Sequence, residues 1–262
     1  ATLAPETDYG KNMAKIFEDE VVKLGGELLK SQFYAVEIVD DEGVVLPRNS
    51  FITDARVFGN KPEEITPEEE EMELLPEYEF ESLFIPDKYQ RTYHVASSLA
   101  YEGFPLGTFK PTRESEPLLL LGLNSWNNPG IVKQYMMGAQ FVDAFWAEED
   151  SENVSLFVEE FKAEYERSPR IFEALMYDTI QISAQALDLE ATELIRKREA
   201  VLDGVLAVEL TDSQTHSIRF DQNRRLEREL LILEVDSDGI KKWENPEEEK
   251  KEEEEKKKEK ST

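Results

Sequence analysis

Hydrophobic positions along this chain alternate between short apolar runs of strand length and helical spacing. Residues 1–5, Ala-Thr-Leu-Ala-Pro, read as the end of a strand. Met13, Ile16, Phe17, Val21 and Leu24 then recur three or four residues apart, as one face of a helix does. Thr7 and Asp8 offer N-cap oxygens before them and Gly25-Gly26 is a stop after them, so a helix is predicted over 9–24. A strand over 27–36 completes a β-α-β unit, the signature of a parallel sheet. The same rhythm returns beyond residue 81. It predicts a strand at 82–86, a helix at 88–101 and an apolar buried strand at 117–122. A short helix at 129–137 follows, with Pro129 suited to its first turn, and then a strand at 139–145.

Two stretches break this pattern. Residues 40–81 hold Pro47, Pro62, Pro67, Pro76 and an acidic run from Glu63 to Glu73, which predicts a solvated insertion with at most a short strand near 50–57. From 151 the chain turns helical, with helices expected at 151–167, 170–187 and 190–202. Phe157, Phe161 and Tyr165 form a stripe four residues apart on the first of them. Strands are expected at 216–220, 229–235 and 240–243, with Asp238-Gly239 as a tight turn between the last two. Residues 245–262 are Glu/Lys low complexity, expected to be a frayed helix or disordered. No internal repeat is present.

Charge narrows the function. The chain of 262 residues has 58 acidic and 30 basic side chains, a formal net charge of -28. Such a surface repels phosphate backbones, and there is no basic stripe for nucleic acid. No apolar run approaches the ~20 residues of a membrane-spanning helix, so no transmembrane segment is expected. No basic, apolar-cored leader is visible either. The chain contains no cysteine, which excludes disulfides, thiolate catalysis and Cys-type zinc sites.

Candidate chemistry follows from the parallel sheet. Ligands bind outside the carboxyl ends of strands in open α/β sheets. Three loops are expected there: Thr7-Asp8-Tyr9-Gly10, Asp87-Lys88-Tyr89 and Asn124-Ser125-Trp126-Asn127. The candidate ligand-binding residues are Asp8, Tyr9, Asp87, Asn124, Ser125 and Trp126. Each loop pairs short polar side chains with an aromatic ring, and nearby helix N-termini offer N–H groups to a carboxylate. The competing roles are an N-cap for Asp8, helix packing for Tyr9, a lid over the strand ends for Trp126 and turn-shaping for Asn124 and Asn127.

Catalytic signals are missing. His94 and His216 stand beside no nucleophile motif, and no phosphate-cradling glycine motif occurs. Asp236-Ser-Asp-Gly239 lacks the remaining ligands of a calcium loop and reads as a hairpin turn. No catalytic residue, metal or cofactor is expected.

The order and wording of these elements resemble the type I periplasmic solute-binding family, in its branched-chain amino-acid branch. The stretches that carry the match are DYGKNMAKIFEDEVVKLGGEL (8–28), SLFIPDKYQRTYHVASSLAYEG (82–103) and LLLLGLNSWNNPGIVKQYMMGAQFVDAF (118–145). FVEEFKAEYERSPRIFEALMYDTIQISAQAL (157–187) and SIRFDQNRRLERELLILEVDSDGI (217–240) continue it. The Asn-Ser-Trp-Asn loop and the acidic insertion resemble a sub-branch of envelope lipoproteins that activate penicillin-binding proteins. The resemblance implies an α/β fold with a parallel sheet flanked by helices, lacking most of the first lobe. It implies a second-lobe domain over 1–145 carrying the insertion 40–81, first-lobe helices and connection over 151–215, and closing strands over 216–244. The family's Tyr at the position of Tyr9 faces its cleft. The Tyr177-Asp178 pair falls within a long first-lobe helix, where Tyr177, Phe172, Leu175 and Ile180 are expected to build core. Arg224-Arg225 stand where the family usually has a glycine, which suggests a different turn. The implied function is a non-catalytic domain of the periplasm or cell envelope. It would hold a small polar ligand such as an amino acid between two lobes. The alternative is an interaction protein of the same fold that regulates a membrane-associated peptidoglycan synthase without a small ligand.

Overall fold

The computed structural model describes residues 1–39, 44–61, 75–188, 198–211 and 213–245. In chain order the elements begin with β1 (Thr2–Pro5), α1 (Asp8–Lys23), β2 (Ser31–Tyr34), β3 (Glu37–Val39), β4 (Val45–Pro47) and α2 (Ile52–Phe58). Next come β5 (Ser82–Phe84), α3 (Tyr89–Tyr101), β6 (Leu119–Gly122) and β7 (Gln140–Asp143). They end with α4 (Glu152–Tyr165), α5 (Ile171–Asp188), α6 (Arg198–Ala207), β8 (Ile218–Phe220), β9 (Leu226–Arg228), β10 (Leu231–Asp236) and β11 (Gly239–Lys242). The chain divides into two compact units, 1–141 with 233–262 and 142–232.

The first unit is organised by a sheet of seven strands in the order β2-β1-β5-β6-β7-β10-β11. The pairs β1–β2, β1–β5, β5–β6 and β6–β7 are parallel, and β10–β11 is an antiparallel hairpin. β1 lies inside the sheet with all four residues buried, as an apolar run between helical layers should. α1 starts hard against it. The Thr7 hydroxyl caps the helix by accepting from Gly10 N at 3.1 Å. A Cβ at Gly10 would stand 2.1 Å from the Pro5 carbonyl oxygen, so only glycine allows this strand-to-helix turn. The ring of Phe17 stacks on Phe84 at 4.4 Å, fixing α1 over β5.

Three local expectations are corrected. The stretch at 50–57 is α2, not a strand. Phe51, Ala55 and Phe58 are buried at helical spacing, so the core sets its conformation despite the charged surroundings. α2 is tied to α3 through Glu102, itself buried, which receives Arg56 at 3.3 Å and Lys61 at 3.2 Å. With Tyr78 and Phe80 packed on Phe58 and Phe104, the parts of the expected insertion around 51–58 and 78–80 join the core while 44–50 are largely exposed; 40–43 and 62–74 lie outside the described residues. The helix expected at 129–137 is two separate 3-10 turns, Pro129–Ile131 and Gln134–Met136. Asn128 caps Gly130 N, and Lys133 is extended, which breaks the helical path. The strand expected at 229–235 is present as β10 in the large sheet, preceded by an unexpected short β9 that pairs with β8. The Glu/Lys tail beyond 245 and the helix start expected at 190 lie outside the described residues.

The second unit carries helices α4–α6 and the β8–β9 hairpin, with no strand among the described residues of 151–203. Two small apolar clusters hold it. One joins Phe145, Val154, Phe157, Val158 and Ala174, and the other Ile182, Ala186, Val208 and Ile218. The helix α5 contributes Ala174, Asp178, Ile182 and Ala186 as its buried face. Its other side is apolar too, yet Phe172, Met176 and Ile180 are 76%, 62% and 65% exposed. Of the four residues expected to build core, Phe172 and Ile180 are exposed, Leu175 is half-buried, and Tyr177 packs its ring against Phe157 at 5.1 Å.

Candidate ligand-binding site

Strand order fixes where a site can form in the first unit. From β1 the chain goes to β2 on one side and then to β5 on the other, so the order reverses between β1 and β5. A crevice opens outside the carboxyl ends of the strands at such a switch point. The loops that leave β1 and β5 contain Asp8-Tyr9 and Asp87, and the loop leaving the neighbouring β6 contains Asn124–Trp126.

Asp87 joins the second and third of these loops to the end of β2. Its carboxylate accepts from the Tyr34 hydroxyl at 2.7 Å and from Arg91 Nη1 at 2.8 Å to each oxygen. Its own helix start supplies Lys88 N at 2.7 Å. Its backbone carbonyl accepts from Ser125 Oγ at 2.8 Å and from Trp126 Nε1 at 3.0 Å. One buried residue thereby ties the end of β2, the start of α3 and the loop after β6. Burial and the Asp87 charge both push the Tyr34 hydroxyl far above the ordinary phenol value.

The six candidates separate by surroundings. Asp87 and Trp126 are buried. The Trp126 ring fills the space over Gly122, where a Cβ would come within 2.3 Å of it. Ser125 is half-buried and spends its hydroxyl on Asp87. Asp8, Tyr9 and Asn124 are exposed. Burial and the Asp87 charge raise the Tyr9 phenol above its ordinary value. The surface therefore offers a tyrosine ring and hydroxyl, a carboxylate and an amide, on a base that internal hydrogen bonds hold rigid.

Tyr34 and Arg91 escaped sequence reasoning. Arg91 had a signal, since it stands four residues after Asp87 at a helix start. Tyr34 had none beyond its place at a strand end.

The histidines lie elsewhere. His94 is exposed on α3, and His216 Nε2 is 3.3 Å from Glu149 Oε2 in the second unit. In that unit Asp178 is buried and accepts from Gln214 N at 2.8 Å, Thr215 N at 3.0 Å and Thr215 Oγ1 at 2.5 Å. Arg228 donates to the same Thr215 hydroxyl at 2.8 Å, so this network shapes the 213–216 turn. Asp236 and Asp238 belong to the β10–β11 hairpin, where Asp236 pairs with Gly239. Among the described residues no group of three or more His, Asp and Glu side chains is placed to hold a metal ion.

Comparison with solved structures places this sheet among known folds. An ABC transporter substrate-binding protein from Sphaerobacter thermophilus matches 92% of the chain at TM-score 0.65 and 16% identity. A Rhodospirillum rubrum protein ascribed to a branched-chain amino acid ABC transporter also matches 92%, at TM-score 0.68 and 18% identity. The fold is that of the type I periplasmic solute-binding proteins. A third protein of this fold, the branched-chain amino acid transporter substrate-binding protein LivJ from Streptococcus pneumoniae, was solved with isoleucine. It matches at TM-score 0.57 and 15% identity over 92% of the chain. The chain spans only 57–60% of the length of these three structures. No protein-family model and no curated protein matches it.

Proposed function

We propose that this chain is part of a non-catalytic solute-binding protein of the cell envelope, with residues 1–145 forming the second lobe. The ligand is a small polar molecule of the amino-acid class, held against the loops at Asp8-Tyr9, Asp87 and Asn124–Trp126. The observation that carries this reading is that Asp87, at the carboxyl end of β5 next to the β1/β5 switch point, ties together the end of β2, the start of α3 and the loop after β6, with Tyr9 exposed at the start of α1. Proteins of the same fold support it, one of them solved with isoleucine. Asp87, Ser125 and Trp126 act as the frame, while Tyr9, Asp8 and Asn124 make contact. Residues 151–215 belong to the first lobe, and the uncovered stripe of α5 is the face that the rest of that lobe would bury.

The internal commitment of Asp87, Ser125 and Trp126 also favours a second reading. In it the fold serves as an interaction protein for a peptidoglycan synthase. Calorimetry on the longest form of the protein separates the two, using a panel of amino acids and, in parallel, a synthase ectodomain. The solute-binding reading expects heat with at least one amino acid. Tyr9→Ala should weaken that ligand by ~1–3 kcal/mol through lost stacking and an unpaired polar partner. Tight synthase binding with no heat from any amino acid would reject it and promote the second reading.

A further inference from the structure

Residues 48–58 lie outside the strand-end loops, yet one of their side chains reaches the candidate site through the core. Phe51 stands at the start of α2 and is buried. Its ring meets the Tyr34 ring edge to face, 5.0 Å between centroids and 67° between planes. Tyr34 is buried as well, and its hydroxyl donates to the Asp87 carboxylate at 2.7 Å. In a close-packed core a ring turns only where its neighbours give way. The place of that hydroxyl therefore depends on the ring of Phe51.

Phe51 is itself held. The Arg48 guanidinium lies 5.1 Å over its ring, a cation on an aromatic face, and pairs with the Asp54 carboxylate. The Asp54 carbonyl accepts from Gln32 Nε2 at 2.9 Å, two residues before Tyr34 on β2. Phe51 N donates at 3.2 Å to Ser98 Oγ on α3, the helix whose first turn carries Arg91. The start of α2 is thus bonded to both elements that give Asp87 a side-chain partner, β2 with Tyr34 and α3 with Arg91. The second buried ring of α2, Phe58, packs instead on Phe80 at 5.3 Å and Phe104 at 6.0 Å, neither of them in the site.

We propose, resting on the solute-binding reading above, that Phe51 is a positioning residue for the candidate site. Through the Tyr34 ring it sets where the Asp87 carboxylate stands, and with it the loop of Ser125 and Trp126, whose side chains donate to the Asp87 carbonyl.

The Trp126 indole N–H reports on the far end of these contacts. Trp126 is buried, whereas Trp146 and Trp243 are half-buried, so its proton exchanges with solvent through openings of its own surroundings. Indole exchange is followed by NMR in the full chain, without ligand. Phe51→Leu should speed exchange at Trp126 about fivefold or more, a coupling typical of residues in one contact network. Phe58→Leu removes the same ring from the same helix and should leave that exchange within about twofold of the wild type. Tyr34→Phe, which deletes only the hydroxyl, should reproduce the acceleration, and adding Phe51→Leu to it should bring no further change. Arg48→Gln, which keeps the core intact, replaces Phe51→Leu under the same expectations should that variant not fold. Equal effects of Phe51→Leu and Phe58→Leu would mean general loosening and overturn the proposal. So would an unchanged Trp126 in Phe51→Leu, or a full effect of Phe51→Leu surviving in the Tyr34→Phe background. Calorimetry with a panel of amino acids is the separate test of what the loops hold: heat from none rejects the solute-binding reading, while the indole exchange decides the role of Phe51.

Discussion

At the scale of single residues, Asp87 organises the candidate site and does so largely out of contact with solvent. Replacing it by alanine would leave the buried Tyr34 hydroxyl and the Arg91 guanidinium unpaired together. Asp87→Ala should cost roughly 2–4 kcal/mol, measured as a shift of the urea midpoint, and should disorder the loop of Ser125 and Trp126. Tyr34 predicts a pH dependence. Its phenol is raised in the fold by burial and by Asp87, so the folded state holds that proton more tightly than the unfolded chain. Its contribution is complete below the free phenol value of about 10 and erodes as pH climbs from there toward the higher folded value. Comparing urea midpoints between pH 8 and 11, Tyr34→Phe should flatten the alkaline decline seen in the wild type. Much of this was readable from sequence, because loops at strand ends are fixed by the β-α rhythm. What was not readable is which oxygen each neighbour uses. Thr7 caps α1 and leaves Asp8 exposed, and the Asp87 carbonyl, which no sequence pattern marks, receives Ser125 and Trp126.

At the scale of elements, legibility followed the balance between local signal and tertiary context. α1 and α3 carry apolar stripes and clear stops, and both formed within a residue or so of their expected bounds. α2 did not announce itself. Phe51, Ala55 and Phe58 have helical spacing, but prolines and acids nearby outweigh a helix of seven residues. The 3-10 turns after Pro129 show the opposite case, where a good helix-opening residue meets an extended residue at Lys133. α5 poses a physical question of its own, since a helix with a second apolar stripe ordinarily buries that stripe as well. Phe172, Met176 and Ile180 form a stripe that water reaches, and such stripes drive association. The double variant Phe172→Gln, Met176→Gln should reduce concentration-dependent self-association in sedimentation velocity. It should leave the melting temperature within a degree or two, because neither side chain is buried and exposed substitutions change stability little.

At the scale of the whole molecule, the parallel sheet was legible because β-α units recur on either side of the break at 40–81, whereas the strand order that creates the switch point was not. Nor was the division into units, because it depends on which strands neighbour one another across long stretches of chain. β7 and β10 lie side by side although residues 144–230 separate them. That adjacency has a consequence for how the molecule assembles in time. Closing so long an unstructured loop costs on the order of 4 kcal/mol of chain entropy, and non-local pairing of this kind slows folding. If the second unit gathers first, it brings its own ends together and the cost has already been met. Pulse-labelled hydrogen exchange during refolding should find the amides of β1, β5 and β6 protected before those of β10 and β11. Asp178→Ala, which loosens the 213–216 turn far along the chain from either strand of the first pair, should delay β10 and β11 further while leaving the early strands on schedule. The last two strands of the sheet would be timed by a side chain that touches neither of them.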